Sequence, residues 1–350
     1  MRFQRLTLQE LEQRIVPAMV WTDLSLFPNR TLEHIFDSNG DEFSLQLAGG
    51  EVGDTVMVQH DENMAVSSPV NIQFVGTTPN TGMTLTITET TQNTDLVNVD
   101  TIMSNGEVVS LHLENVKVTN HIETDGDGAG VIGITGTGVN HINQIITNKD
   151  HSPVIHIGTL GLGDIAIGSI HTVGNQSAVG DFYLSGLTSV LTEGEGSSIG
   201  EIHIVGVPTS IESLVTTKKD SPIYTVEGFG GFIIRIGEII TSGDRSPICN
   251  IGQATPFTIA DITEIQTDGD ESPVYNVSVS GDIAEIVTSG NNSSVDHIQA
   301  GGDITNINTS WLEGGKTNSP VHDISANHIG HIMDFAADSP VSKINANHVE

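Results

Sequence analysis

The sequence of 350 residues contains a single cysteine, Cys249, and few aromatic residues. One thiol excludes an internal disulfide, so cysteine usage does not indicate the redox compartment. No apolar run approaches the roughly 18 residues that a transmembrane helix needs. Because aromatic residues make up only 4% of the chain, we expect a thin core filled by aliphatic side chains.

Basic residues are also scarce, since 12 Lys and Arg oppose 44 Asp and Glu, for a formal net charge of -32. A surface this negative repels phosphate backbones and anionic lipids. The composition therefore argues against nucleic-acid binding and against simple adsorption to a membrane surface. Cations are the natural counterparts of such a chain.

Stretches rich in Ala, Leu, Glu and Lys, which favour helices, are missing from the body of the chain. In their place a repeat recurs at intervals of 20 to 26 residues: Ile-x-Thr, a turn of Gly, Asp and Asn, and then Ser-Pro-Val or a close variant. Internal repeats of this length indicate a solenoid. The aligned threonines are Thr124, Thr147, Thr172, Thr192, Thr216, Thr241, Thr267, Thr288 and Thr309.

Apolar residues recur at fixed places around each threonine. They stand two and five positions before it, as at Ile145 and Ile142, and again after the turn, as at Val154 and Ile157. Stacked coils of β-branched residues would bury these positions in one continuous core. The pattern predicts an all-β fold, a parallel β-helix of about ten coils of 20–26 residues. A leucine-rich-repeat horseshoe is the alternative, but its asparagine ladder is absent and both halves of each repeat resemble strands.

The chain divides into three regions by pattern. Residues 1–18 are basic with helical character, residues 19–100 are β-rich without clear register and form a cap or degenerate coils, and residues 101–350 carry the repeats. The last repeat stops in phase at Ala346–Glu350. Because an open strand edge invites association, we expect a longer parent chain, a partner or end-to-end self-association to cover it.

The segment Leu11-Glu12-Gln13-Arg14-Ile15-Val16-Pro17-Ala18 resembles the Leu-Glu-x-Arg-x-x-Pro-Ala segment near the start of many large exported and surface proteins of planctomycete-type bacteria. The resemblance covers eight positions and a basic lead-in. It implies an extracellular or cell-surface location and nothing about activity. The alternative is an amphipathic cap over the first coil.

Two outward columns become acidic late in the array. One holds the residue three positions before each threonine, and the other the residue six positions before. Carboxylates stacked one coil apart repel each other, and oxygen ligands in excess suit calcium, while histidines could add a softer divalent site. The candidate metal ligands are Glu238, Asp261, Glu264, Asp282, Glu285, Asp303, His328, His331 and His348. A solvated acidic face, relieved by salt and by Arg235, is the alternative.

The turns and the threonines offer two further candidate sites. Asp125, Asp127, Asp268 and Asp270 lie in Gly-rich turns that resemble fragments of calcium loops, although Asp and Gly also suit tight turns for backbone reasons. The threonine column resembles an ice-binding array. Because each threonine follows a buried residue by two, however, we expect its hydroxyl to face inward and bond to the turn backbone.

The minority interpretation is an enzyme, a polysaccharide lyase or hydrolase of the β-helix type. Its carboxylates would be Asp261, Asp282 and Glu264, working along an outward strand face. Trp311 lies in an insertion that lengthens one coil, and such insertions often bind ligands. The favoured interpretation is a non-catalytic structural or adhesive solenoid, with calcium as a possible cation and polysaccharides or other surface proteins as possible partners.

Overall fold

The computed structural model describes residues 19–61, 70–76, 82–90, 96–106, 108–159, 164–205, 209–229, 234–252, 259–309, 318–333 and 339–349. These residues form β-strands and turns, apart from two short 3-10 helices at Leu24–Leu26 and Pro28–Arg30. The export-like segment 1–18 and Trp311 lie outside the described residues. Among the described residues, no helix has the length and apolar character required to span a membrane.

The first strands form an antiparallel cap. Strands β1, β4 and β5 pair in that order, as do β2, β3 and β6, and β5 and β6 then pair in parallel with the strands that follow. Each half of the cap thus continues into one sheet of the solenoid. The cap strands are β1 (Met19–Asp23), β2 (Thr31–Phe36), β3 (Glu42–Ala48), β4 (Thr55–Asp61), β5 (Asn71–Val75) and β6 (Thr84–Glu89).

The remaining strands alternate between two parallel sheets, so that each strand pairs with the next but one along the chain. The first sheet contains the odd-numbered strands to β25 and the second the even-numbered strands to β24, while β26 and β27 run through both. The strands are β7 (Val97–Ser104), β8 (Val109–Glu114), β9 (Val116–Thr124), β10 (Val131–Thr137), β11 (Asn140–Thr147), β12 (Val154–Ile157), β13 (Ile165–Thr172), β14 (Val179–Leu184), β15 (Gly186–Thr192), β16 (Ile202–Val205), β17 (Thr209–Thr216), β18 (Val226–Phe229), β19 (Ile234–Thr241), β20 (Ile248–Ile251), β21 (Ile259–Thr267), β22 (Val274–Val279), β23 (Ile283–Thr288), β24 (Val295–Ala300), β25 (Ile304–Asn308), β26 (Val321–Met333) and β27 (Val341–Val349).

The parallel β-helix predicted from the repeats is confirmed, with about nine turns. Ile145, for example, pairs with Ile122 on one side and Ile170 on the other, and all three are at most 1% exposed. Both halves of each coil are strands, unlike the repeats of a leucine-rich-repeat horseshoe. The repeated apolar positions therefore stack into one core that runs along the solenoid.

A bend lets the second strand of each coil bury two residues that are three positions apart. Val154 and Ile157 are both buried, although a straight strand would send them to opposite faces. His156, between them, has φ 57° and turns the chain. Asn, Asp and His adopt this left-handed conformation more readily than most residues. Positive φ recurs at Gly133, His156, Asp181, Thr225, Asn250, Asn276, His297, Asp323 and Lys343.

A ladder of buried serines joins the coils at the corner after each turn. The Ser152 N–H donates to Ser177 Oγ at 3.0 Å, and Ser177 Oγ donates back to the Lys149 carbonyl at 3.0 Å. Each hydroxyl thus satisfies a backbone donor and an acceptor that would otherwise be buried without partners. The same N–H to Oγ contact continues through Ser197, Ser221, Ser246, Ser272, Ser293, Ser319 and Ser339.

The threonine column points inward, as the spacing predicted. Each aligned threonine from Thr124 to Thr309 is fully buried. In three central coils the hydroxyl donates to the carbonyl of the serine five residues later, as Thr192 does to Ser197 at 2.7 Å. In these three coils the threonine hydroxyl supports the corner from inside, and because the whole column is buried it presents no ice-binding surface.

The serine ladder gives a direct test of coil stacking. Replacing Ser221 by Ala leaves the buried Ser197 N–H and Gly194 carbonyl without their hydroxyl partner. We expect S221A to lower the free energy of unfolding by about 1–3 kcal/mol in chemical denaturation. Ser213→Ala is the control, because the Ser213 hydroxyl forms no hydrogen bond with the described residues, and it should change stability by less than about 0.5 kcal/mol. Equal effects of the two variants would contradict this role.

Candidate functional site

Three glutamates stack in register on the outward side of the first sheet, one on each of β19, β21 and β23. Glu238 pairs with Glu264, and Glu264 pairs with Glu285. The column continues through Asn306 to His331, in the register predicted from the repeats. Neighbouring strands lie about 4.8 Å apart, so these carboxylates are held beside like charges.

The central glutamate carries the electrostatic consequence of this stacking. Partial burial raises the pKa of the Glu264 carboxyl, and the negative charges of Glu238, Glu285 and Asp268 raise it further. None of the three stacked glutamates forms an ion pair with a described basic residue. Glu264 is therefore a carboxylate whose negative charge is disfavoured by its surroundings.

The aspartate column beside it has a structural task that the sequence did not reveal. Asp261 Oδ1 accepts the Asp282 N–H at 3.1 Å, and Asp282 Oδ1 accepts the Asp303 N–H at 2.8 Å. Arg235 Nε lies 3.1 Å from Asp261 Oδ2. These aspartates therefore tie one coil to the next through the backbone, and the hydrogen bonds help to offset their mutual repulsion.

The predicted histidines lie at the C-terminal end of the two columns. His328 and His348 stack with ring centroids 5.1 Å apart, and His328 directly precedes Ile329, the partner of Ile304 beside Asp303. Within the part of the chain that the structure describes, no group of three or more His, Cys, Asp or Glu side chains is arranged to hold a metal ion. The metal assignment for these columns remains a prediction.

The acidic turn residues are engaged in turn and coil contacts. Asp270 Oδ1 accepts the Asn291 N–H at 2.7 Å, and Asp268 accepts hydrogen bonds from Gln266 Nε2 at 2.7 Å and Ser289 Oγ at 2.6 Å. In an earlier coil, Lys149 Nζ lies 3.6 Å from Asp125, and Asp127 is exposed. Asp125, Asp268 and Asp270 thus take part in turn and coil contacts, and calcium binding by these turns remains a prediction.

Histidine–carboxylate pairs on the second sheet were missed at the sequence level. His156 pairs with Asp181 of the next coil, and His297 Nε2 lies 3.4 Å from Asp323. Near the middle of the array the His203 ring stacks on Tyr183 at 4.8 Å. The repeat alignment could have revealed these pairs. When the coils are aligned on the Val or Ile that follows each turn, the paired side chains stand at the same position, two or four residues later, in adjacent coils.

Cys249 lies in an outward column of the second sheet and is nevertheless buried, with 1% exposure. Its strand neighbour is Tyr275, and a hydrogen bond between the two side chains contributes to raising the pKa of the Tyr275 hydroxyl to about 12. Burial raises the pKa of the Cys249 thiol, opposed by that hydrogen bond. The thiol is therefore protected and poorly nucleophilic.

No protein-family model, curated protein or solved structure matches this chain.

The raised pKa of Glu264 predicts the direction of its pH effect. Between the unfolded value near 4.5 and the raised folded value, the native state holds more protons, so stability rises as pH falls through this window. We expect Glu264→Gln to raise the melting temperature at pH 7 and to flatten its dependence on pH below 7. Glu212→Gln, outside the glutamate column, is the matched control. A lower melting temperature for E264Q at pH 7 would contradict the repulsion.

The burial of Cys249 under Tyr275 predicts slow thiol chemistry. We expect the native protein to react with an aromatic disulfide reagent at least tenfold more slowly than the denatured chain, because only the exposed thiolate reacts quickly. Tyr275→Ala should remove most of this protection, whereas Tyr275→Phe, which keeps the ring, should remove less. Unchanged kinetics in Y275A would show that the ring does not shield the thiol.

Proposed function

We propose that this protein is a non-catalytic structural or adhesive β-solenoid of the extracellular space or cell surface, which binds divalent cations such as calcium through its outward carboxylates. The observation that carries the cation proposal is the in-register stack of Glu238, Glu264 and Glu285. Like charges about 4 Å apart cost roughly 1 kcal/mol even in bulk water. Calcium, which prefers several carboxylate oxygens in flexible geometry, would offset that cost.

The structural role is supported by how the coils are joined. Backbone pairing, the buried serine ladder and the aspartate contacts at Asp261 and Asp282 all connect successive coils. Because these contacts join successive coils, we expect a stiff solenoid in which the side chains of each outward column keep a fixed spacing. The resemblance of residues 11–18 to exported surface proteins supports the proposed location.

The second candidate is a polysaccharide lyase or hydrolase acting on the face of the first sheet. One observation favours it, since the raised pKa of Glu264 suits a general acid. Other contacts weigh against it. Asp261 and Asp282 each accept a backbone N–H of the next coil. A lyase also needs an Arg or Lys base, and Arg245, one of the few basic residues in the repeats, is held by a two-pronged ion pair with Asp220 at 2.6 Å for each contact.

Calcium titration tests the proposed cation binding. We expect calcium at millimolar concentration to raise the melting temperature, because binding to the native state stabilises it by mass action. The double variant Glu264→Gln, Glu285→Gln should lose most of that rise. Glu33→Gln is the matched control, since Glu33 is exposed on strand β2 of the cap and belongs to none of the candidate sites, and it should retain the rise. An unchanged response in the double variant would place the effect elsewhere.

The same preparation separates the two candidate functions. Acidic plant and algal polysaccharides are incubated with the protein, and new reducing ends and unsaturated products are measured. The structural proposal expects no cleavage at any calcium concentration. Cleavage that is lost on Asp282→Asn, with the fold intact by circular dichroism, would replace it by the enzymatic one.

A further inference from the structure

We propose that the outward face of the second sheet, around β22, β24 and β26, binds a neutral polysaccharide. A shallow groove of about 270 Å³ crosses these three strands. Its lining residues include Asn276, Ser278, His297, Gln299, Asp323 and Ser325. The groove lies on a different sheet from the glutamate column, so the assignment does not depend on cation binding there.

The central feature of this groove is unused hydrogen-bonding capacity. Ser278, Gln299 and Ser325 stand in register on the three strands, and their side chains form no hydrogen bond with the described residues. Ser278 is buried with 7% exposure, whereas Gln299 is exposed and Ser325 is half-buried, so the last two are the more accessible. By contrast, the column of buried serines from Ser152 to Ser319 holds the coils together. Polar groups with no task in the fold are available to a ligand.

The chemistry of the lining fits sugar hydroxyls. Each sugar hydroxyl both donates and accepts, and the groove presents both kinds of group: serine hydroxyls and an amide at Gln299, and a carboxylate at Asp323. His297 holds this carboxylate with Nε2 at 3.4 Å, while its Nδ1 lies 2.9 Å from Asp296. A few converging polar groups of fixed orientation are what confer specificity on a small-molecule site.

Two tyrosines lie in the outward column that precedes the bend in the strands of the second sheet. Tyr275 directly precedes Asn276, and Tyr224 lies two coils away in the same outward column with 40% exposure. A tyrosine ring offers an apolar face to the C–H side of a sugar together with a polar tip. The column holds Ile132, Ile155, Gly180 and Gly200 in the earlier coils, so the two tyrosines occur only in the later coils, near the strands that carry the groove.

Charge selects among polysaccharides. A net charge of -32 repels uronate and sulfate polymers over the range of the Debye length, about 8 Å at physiological salt. Within the groove, the Asp323 carboxylate, which lies 3.4 Å from His297 Nε2, adds a negative charge of its own. A neutral chain meets no such cost and can follow successive coils at their spacing of about 4.8 Å.

Calorimetric titration with defined oligosaccharides tests the proposal. The panel comprises the neutral hexasaccharides of cellulose, xylan, mannan and laminarin, with oligogalacturonate as the anionic comparison, and all titrations contain a chelator so that divalent cations play no part. We expect at least one neutral hexasaccharide to bind and oligogalacturonate not to bind. Gln299→Leu should weaken the binding at least tenfold.

The matched control is Gln144→Leu, which makes the same change at an outward position of the first sheet and should leave affinity unchanged. Circular dichroism and melting temperature confirm that both variants fold. The proposal is overturned if no neutral hexasaccharide binds, or if Q299L binds as tightly as the wild type. Binding of oligogalacturonate alone would overturn it as well. None of these outcomes bears on the calcium response of the glutamate column.

Discussion

Hydrogen bonding from one coil to the next, along the strands and at the corner after each turn, is the constraint on which this structure depends. In the strands, backbone pairs supply it. At the corner after each turn the backbone alone does not, and there the serine hydroxyl accepts an N–H from the preceding coil and donates to one of its carbonyls, as Ser177 does with Ser152 and Lys149. Without the serine hydroxyl in one coil, a backbone N–H and a carbonyl would be buried without partners. Each coil therefore has to place its serine at this corner in the same register.

The same constraint sets the electrostatics of the surface. Side chains that repeat in sequence are stacked about 4.8 Å apart, so an acidic sequence becomes columns of like charge. The two acidic columns resolve this differently. Asp261 and Asp282 accept hydrogen bonds from backbone N–H groups of the next coil. Glu264, in contrast, has glutamates on both sides, and its pKa is raised. Repulsion that the fold does not relieve is therefore concentrated in the glutamate column.

The sequence was sufficient for the register, because Ile and Val recur where a stacked core needs them and Thr where a buried hydroxyl supports the turn. It was insufficient for the bend in the second strand. The Val-x-x-Ile spacing conflicts with strand alternation, and only the positive φ of residues such as His156 and Asn276 resolves the conflict. The sequence also did not predict the serine ladder or the contact of Tyr275 with Cys249, for another reason. Both are side-chain contacts between coils, and the spacing of residues within one coil does not show which side chains of neighbouring coils will touch.

The outward faces of the first and second sheets differ in whether their polar side chains take part in the fold. This difference is the reason for proposing a different ligand for each face. On the first sheet Asp261 and Asp282 are committed to the fold and the stacked glutamates only repel one another, so the cation proposed for this face would need no shaped cavity. On the second sheet Ser278, Gln299 and Ser325 are aligned across a groove with no partner among the described residues. Aligned donors and acceptors of this kind discriminate by shape and hydrogen bonding. A rigid solenoid can carry both surfaces at once, because stacking fixes each column independently of the other.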